Sequence, residues 1–225
     1  MKNETKKKLL LNSLDLFTNV VIILIAVLVV QKFLVAPFEV SGASMCDTLN
    51  VIDGQCKHDK GETVLINEAL YLFNSPKRGE IVVFTSETEG DKYFIKRVIG
   101  LPGETVEILN GEVYITNTEG KTEVIDEPYL NETNRHNTLD YGEYTVFNIP
   151  EGHYFLLGDN RIASTDSRSC FASSPSQNCR LHPENSFIPE EKIRGKAAVV
   201  LWPIKNMRKL ETPTYSINSE SLEEK

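Results

Sequence analysis

The stretch Lys92-Tyr93-Phe94-Ile95-Lys96-Arg97-Val98-Ile99-Gly100-Leu101-Pro102-Gly103-Glu104 decides the fold class of this chain. Its first part is rich in aromatic and β-branched side chains, which are enriched in β-strands. Residues 100–103 then combine glycine and proline in a pattern typical of a turn. The stretch therefore predicts a strand that ends in a tight turn.

Short apolar or alternating runs recur along the rest of the chain, bounded by turn residues. They predict further strands over residues 38–40, 61–67, 78–84, 105–108, 112–116 and 195–203. Residues 51–61 and 131–141 are polar and predict loops, and only residues 67–74 look briefly helical. We therefore predict a mainly β fold, with antiparallel sheets around one core.

The N-terminal region has a different composition from the rest of the chain. Residues 1–14 are rich in lysine, and residues 16–30 are apolar except for Thr18 and Asn19. Because about 20 apolar residues span a bilayer core, we predict a transmembrane helix over residues 15–36. The basic residues before it place the N-terminus in the cytoplasm. A cleaved signal peptide is the alternative, but the apolar run is longer than such peptides usually have.

Length and charge limit the classes of function. The chain of 225 residues is long enough for one domain with a sizeable core and an anchor. Its net charge of −8 excludes the basic face that binding to nucleic acid requires. We expect no nucleic-acid partner.

The four cysteines form two pairs that are close in sequence: Cys46 with Cys56, and Cys170 with Cys179. Disulfides are permitted if the domain lies outside the cytoplasm, and free buried thiols are the alternative. No Cys-x-x-Cys motif is present, so neither a zinc site nor another metal or cofactor is indicated.

The stretch Val40-Ser41-Gly42-Ala43-Ser44-Met45-Cys46-Asp47-Thr48-Leu49 supplies a candidate nucleophile, Ser44. A serine hydroxyl needs a neighbouring base that takes its proton during attack, and Lys96 is the candidate base. Lysine acts as a base only when neutral, so Lys96 must be buried among apolar groups that lower its pKa. The alternatives are a serine that caps a turn and an exposed strand lysine.

A third stretch, Gly158-Asp159-Asn160-Arg161-Ile162-Ala163-Ser164-Thr165-Asp166-Ser167-Arg168, completes an ordered set with the other two. In these three blocks the chain resembles the type I signal peptidases, which are membrane-bound serine endopeptidases with a Ser-Lys dyad. The resemblance implies an extracytoplasmic peptidase domain over residues 37–210, with residues 105–157 as a smaller β extension. Residues 211–225 are polar and acidic, and we expect a disordered tail there.

The resemblance also implies supporting residues around the dyad. Ser164 is expected to orient the Lys96 amine through a hydrogen bond. Asp166 and Arg168 resemble a supporting ion pair, and Asp159 is expected to pair with Arg97.

The same family pattern indicates where charge and substrate would be bound. The backbone N–H of Ser44 is the first candidate for the oxyanion, and Gly42 stands where some members have a serine donor. Phe38, Val40 and Met45 flank the nucleophile and are expected to contact substrate. The implied partners are signal peptides with small residues at the cleavage site, the lipid bilayer and the secretion machinery.

Asp47 departs from the family pattern, which usually has proline at this position. Losing the fixed φ of proline loosens the turn after Ser44, and a carboxylate adds negative charge near the developing oxyanion. We expect the side chain to face solvent or to cap a turn. The departure leaves one alternative open, a catalytically degenerate relative that binds preproteins or a partner without cleaving them. A self-cleaving, repressor-like Ser-Lys protease is disfavoured by the membrane span.

Overall fold

The computed structural model describes residues 11–25, 35–85, 92–141, 144–172 and 179–215. Residues 11–25 are helical. Most of the predicted N-terminal region 1–14, the second half of the predicted span 15–36 and most of the predicted tail 211–225 lie outside these ranges. Within the described ranges, no helix combines the length and the hydropathy needed to cross a membrane.

The rest of the described chain is mainly β, as predicted, and its paired strands are all antiparallel. The strands, in chain order, are β1 (Val35–Ser41), β2 (Val51–Ile52), β3 (Gln55–Cys56), β4 (Lys60–Asn67), β5 (Ile81–Thr85), β6 (Tyr93–Gly100), β7 (Thr105–Leu109), β8 (Glu112–Thr116), β9 (Thr122–Val124), β10 (Val146–Asn148), β11 (His153–Leu157), β12 (Ile188–Pro189), β13 (Ile193–Trp202) and β14 (Arg208–Lys209). The predicted helical stretch is a short 3₁₀ turn over Ala69–Leu72.

The larger sheet has the strand order β1-β4-β13-β5-β6-β11-β12, with β14 added beside β13. Strand β1 lies at one edge and pairs only with β4 among the described strands. Strand β6 pairs with β5 along most of its length, whereas β11 covers only its second half, from Arg97 to Gly100. The first half of β6 therefore has a free edge, as β1 has.

A smaller sheet with the order β10-β7-β8-β9 lies within the predicted β extension 105–157, whereas β11, at the end of that range, belongs to the larger sheet. Its central hairpin turns at Asn110 and Gly111, which have positive φ of 53° and 84°, a conformation favoured by this dipeptide. Buried Ile99 and Phe155 of the larger sheet form one cluster with Val106 of the smaller sheet. The two sheets therefore share apolar core.

Residues 51–61, predicted as a loop, contain the hairpin of β2 and β3. Asp53 and Gly54 form its turn with positive φ of 53° and 73°. An Asp-Gly dipeptide is a strong hairpin signal, so this element was missed although its turn residues are present.

Disulfides join Cys46 to Cys56 and Cys170 to Cys179. The sequence left disulfides and free buried thiols as alternatives, and the structure has the disulfides.

Residues 126–141, which we call the connector, lie between β9 and β10. No strand lies in the connector, in agreement with the loop predicted over 131–141. Several of its side chains are nevertheless buried, including Glu127, Asn134 and Thr138. A polar segment is buried in this way only when its groups find hydrogen-bond partners, and those partners belong to the candidate active site.

Candidate active site

Ser44 lies in a compact turn that follows β1. The turn is closed by hydrogen bonds from Cys46 N–H to the Ala43 carbonyl at 3.0 Å and from Leu49 N–H to the Met45 carbonyl at 2.8 Å. Asn160 also binds the turn, because its backbone N–H donates to the Ser44 carbonyl at 3.0 Å and its side chain donates to Ala43 at 3.1 Å. The third sequence block therefore holds the backbone of the candidate nucleophile directly.

Lys96 lies on β6 opposite this turn and is only 3% exposed. Its Nζ donates to Ser44 Oγ at 2.7 Å and to the Ile95 carbonyl at 2.9 Å. Burial lowers the pKa of Lys96 to about 8, although the negative charges of Asp166 and Asp159 act in the opposite direction. A substantial fraction of this lysine is therefore neutral at mildly alkaline pH.

Asp166 and Arg168 form a fully buried bidentate ion pair, with N–O distances of 2.9 and 2.7 Å. Asp166 also accepts a hydrogen bond from Gly158 N–H at 3.0 Å. Burial by itself would raise the pKa of Asp166, but the Arg168 guanidinium and the hydrogen bonds from Gly158 and Ser164 together hold that pKa below its ordinary value. The pair fixes the loop that returns from β11 to the site.

Arg97 and Asp159 form a second buried bidentate pair, at 2.8 and 2.6 Å. Thr48 donates its hydroxyl to Asp159 at 2.5 Å. Arg97 follows Lys96 on β6, Thr48 lies in the turn that contains Ser44, and Asp159 lies in the third block. The Arg97-Asp159 pair therefore links the strand of the candidate base, the turn of the candidate nucleophile and the third block. The pairing expected from the sequence is thus present, and its catalytic support role remains a prediction.

Ser164 is buried, with 3% exposure, and within the described part of the chain its hydroxyl makes no hydrogen bond to Lys96. The expected bond to the Lys96 amine is therefore absent. The amine already donates to Ser44 and to the Ile95 carbonyl, so these two acceptors fix its direction. Ser164 still lies within the site, since it packs against Gly158 beside the Ser44 carbonyl.

An open groove of about 390 Å³ runs over Ser44 Oγ and Lys96. Phe38 and Ser41 of β1 line one side, and Tyr93 and Ile95 of β6 line the other. The full lining consists of Phe38, Glu39, Ser41, Ala43, Ser44, Tyr93, Phe94, Ile95, Lys96, Ala163 and Thr165. The groove therefore runs between the two free strand edges.

Two of the three residues expected to contact substrate do not line this groove. Val40 and Met45 are each only 1% exposed and belong to the apolar cluster beneath the turn. Strand side chains alternate between faces, so Val40 points into the core. The prediction for Val40 and Met45 is wrong as a direct contact, whereas Phe38 does line the groove.

The backbone before the nucleophile is shaped by Gly42, whose φ of +88° favours glycine. No hydrogen bond from the Ser44 N–H occurs within the described part of the chain. A β-carbon at residue 42 would meet nothing within 4 Å, so this side of the turn is open. The Ser44 N–H is thus a free donor next to the hydroxyl.

Asp47 is half-buried, and its carboxylate binds a backbone N–H at a turn of the connector instead of one in its own turn. Its carboxylate accepts hydrogen bonds from the backbone N–H of Asn131 at 3.0 Å, from the Asn131 side chain at 2.6 Å and from the Asn134 side chain at 2.9 Å. Burial raises the pKa of Asp47, and these hydrogen bonds act against that rise. The carboxylate is therefore directed into the connector.

Sequence analysis missed a third buried ion pair, between Arg161 and Glu127. Arg161 also donates to the Gly158 carbonyl at 3.1 Å and to the Thr138 hydroxyl at 3.0 Å. Arg161 stands inside the third block, which was a usable signal. Glu127 and Thr138 lie in the polar connector, where no periodicity or motif marks them as partners.

A family model described as signal peptidase, peptidase S26, matches residues 13–202 of this chain. The chain belongs to this signal peptidase family. It is 32% identical over 209 residues to Signal peptidase I T of Bacillus subtilis, and the alignment covers 91% of this chain and 93% of the relative. It is 31% identical over 220 residues to Signal peptidase IB of Staphylococcus aureus, which covers 92% and 96%.

Among solved structures, a crystal structure of a signal peptidase I from Enterococcus faecalis is 30% identical to this chain, with a TM-score of 0.39. The match covers 55% of this chain and 97% of that chain. As a member of the signal peptidase family, the chain is a serine peptidase and hence a hydrolase.

Proposed function

We propose that this chain is a membrane-anchored endopeptidase that removes N-terminal signal peptides from exported preproteins with a Ser44-Lys96 dyad. The observation that carries the proposal is the 2.7 Å hydrogen bond between Lys96 Nζ and Ser44 Oγ in a buried setting. This is the nucleophile-to-base distance that covalent catalysis requires. The removal of signal peptides follows from membership of the family.

The geometry supports a sequence of steps that balances protons at each stage. Neutral Lys96 takes the Ser44 hydroxyl proton while Oγ attacks the scissile carbonyl carbon, giving a tetrahedral oxyanion. The Ser44 N–H, free among the described residues, is positioned to donate to that oxyanion. As the C–N bond breaks, the Lys96 ammonium returns the proton to the leaving amine. Neutral Lys96 then takes a proton from water as the water attacks the acyl-enzyme, and the ammonium returns that proton to Ser44 Oγ when the ester C–O bond breaks.

Substrate would bind as an extended peptide in the groove between β1 and the first half of β6. Among the described strands neither edge is paired with another strand here, so the peptide can add as a strand between them. The groove next to Ser44 is lined by small side chains, including Ala43, Ala163 and Thr165. Shallow walls of this kind accommodate small residues at the cleavage site, in agreement with an Ala-x-Ala preference.

We further propose that residues 15–36 anchor the enzyme, with the N-terminus in the cytoplasm and the catalytic domain outside. The apolar run after a basic N-terminus supports this topology. In the helical residues 11–25, large apolar side chains such as Leu16, Phe17 and Ile23 are more than half exposed. The two disulfides fit an oxidising compartment. Lipid and the secretion machinery would then be partners.

The alternative of a non-catalytic binding module depended on Asp47 as a sign of lost activity. The Asp47 carboxylate is engaged by Asn131 and Asn134, which leaves the Ser44-Lys96 contact intact. No other feature favours that alternative, so we retain the peptidase.

The decisive experiment is cleavage of a preprotein with an Ala-x-Ala site by the purified chain in detergent, from about pH 6 to about pH 10. Activity should rise with pH through the pKa of Lys96, about 8, because only the neutral amine accepts the serine proton. Ser44→Ala and Lys96→Ala should each abolish cleavage. Cleavage that persisted in Ser44→Ala would overturn the proposed nucleophile.

A further inference from the structure

The side chain of Asn134 lies between two parts of the candidate active site. Its amide nitrogen donates to Asp47 Oδ2 at 2.9 Å, and its amide oxygen accepts a hydrogen bond from Ile162 N–H at 3.3 Å. Asp47 belongs to the nucleophile turn, and Ile162 belongs to the third block. One amide therefore joins the two segments that hold Ser44 and Ser164.

This contact is built into the fold. Asn134 is only 3% exposed, so each of its hydrogen bonds replaces a bond to water that burial has removed. The Asn131 side chain is also fixed, because its oxygen accepts from Thr133 N–H at 2.9 Å and from Asn134 N–H at 3.0 Å. The two amides thus point their donor ends at Asp47.

The backbone of Asp47 has an unfavourable conformation, so the hydrogen bonds to its carboxylate must outweigh that conformational cost. Its φ of +127° lies in the region that non-glycine residues rarely adopt. Such a conformation persists only where the surroundings over-determine it. The three hydrogen bonds donated to the Asp47 carboxylate hold the residue in this conformation.

We propose that Asp47 and Asn134 form a positioning bridge that keeps the Ser44 turn in register with the third block during peptide cleavage. The bridge rests on the proposed peptidase function. Neither residue lines the groove, so substrate binding should depend little on the bridge.

The bridge predicts a specific kinetic signature. A misplacement of about 1 Å in a reacting group can lower the rate about 100-fold. Loosening the turn should therefore lower kcat, while KM stays nearly constant because the groove lining is unchanged. A residue that only contributed to stability would lower the melting temperature and leave the kcat of the folded enzyme unaltered.

The test measures kcat and KM for preprotein cleavage by the full chain, together with melting temperature. Asp47→Asn places an amide donor against the fixed Asn131 donor, and Asn134→Asp places two carboxylates together, so each should lower kcat about tenfold or more. Combining them restores a donor–acceptor contact between residues 47 and 134 but leaves the Asn131 N–H without its acceptor, so kcat should recover in part, to a value above that of the less active single variant. Asn117→Asp is the matched control, since Asn117 closes a turn of the smaller sheet.

Asp47→Gly provides a second, independent test. Glycine relieves the positive φ but removes all three hydrogen bonds of the carboxylate, so the loss of stability should be only partly offset while kcat still falls. Full kcat in Asp47→Gly, or a double variant no more active than the weaker single variant, would refute the bridge while the wild-type enzyme still cleaves. Absence of cleavage by the wild type would instead remove the proposed function, and the bridge with it.

Discussion

Gly158 packs so closely against Ser44 that a β-carbon at residue 158 would lie 2.3 Å from the Ser44 carbonyl oxygen. The same β-carbon would lie 2.2 Å from Ser164 Oγ. Gly158 also donates its N–H to Asp166 and accepts at its carbonyl from Arg161. The absence of a side chain here lets the third block reach the backbone of the candidate nucleophile.

Gly158→Ala is therefore expected to displace the Ser44 turn or the Ser164 side chain and to lower kcat by about 100-fold, the effect of a shift of about 1 Å. Preprotein cleavage under saturating substrate measures this loss. Gly120→Ala is the control, because a β-carbon there meets nothing within 4 Å and only its φ of +83° is unfavourable. The control should lose about 1 kcal/mol of stability and keep its activity.

Lys96→Met should stabilise the enzyme at neutral pH while abolishing cleavage. Because the pKa of Lys96 falls from 10.5 to about 8 on folding, the unfolded chain binds the proton more tightly. That difference corresponds to roughly 3 kcal/mol of destabilisation below about pH 8. Stability should therefore rise as pH increases from about 8 to 10.5, where the penalty disappears.

Denaturant unfolding of both proteins across this pH range measures the difference in free energy of unfolding. The gain from Lys96→Met should be largest near neutral pH and should vanish above the ordinary lysine pKa. An advantage that was constant with pH would show that the amine is not held in its desolvated state.

Asp159→Asn should destabilise the chain strongly. It leaves the buried Arg97 charge without its carboxylate, and removing one partner of a buried pair lowers stability by about 3–5 kcal/mol. Asp53→Asn is the matched control, because its pair with Lys205 is exposed. Thermal unfolding should show a large decrease for the first variant and no measurable change for the second. Equal effects would contradict the assigned burial of the Arg97 pair.

The two disulfides close loops of similar length, with sequence separations of 10 and 9 residues. Replacing both cysteines of either pair by serine should therefore lower the free energy of unfolding by a similar amount, about 2–3 kcal/mol. Only Cys46 lies two residues after Ser44, so only the Cys46-Cys56 replacement should also lower kcat markedly. Peptide mapping before and after reduction verifies the pairing, and any Cys46-Cys170 link would contradict it.

The mainly β fold was predictable because strand composition and turn residues are local signals. The strand over 112–116 matches β8 at both ends, since Asn110 and Gly111 define the hairpin before it. The contact between Ser44 and Lys96 was predictable because each residue stands in its own motif. Val40 and Met45 were misassigned because sequence proximity to Ser44 does not reveal which face of the strand is buried.

The connector was the least informative part of the sequence, yet it supplies hydrogen-bond and ion-pair partners to the nucleophile turn and to the third block. Glu127 pairs with Arg161 across 34 residues, and Asn131 binds Asp47 across 84 residues. Such pairings depend on how the two sheets pack, and no periodicity in a polar loop reports them. The prediction that Ser164 binds the Lys96 amine shows a different limit. A motif position indicates where a side chain lies, but it does not determine which hydrogen bonds that side chain makes.

The open edge of β1 also affects how this enzyme behaves at high concentration. A free strand edge is able to accept the same strand of a second molecule, which is a route to aggregation. Pro37 lies in the middle of β1 and lacks an N–H, and Glu39 adds a charge two residues later. Proline and charge on an edge strand both discourage pairing between identical copies. The groove can thus stay open to a passing peptide while sheet growth is limited.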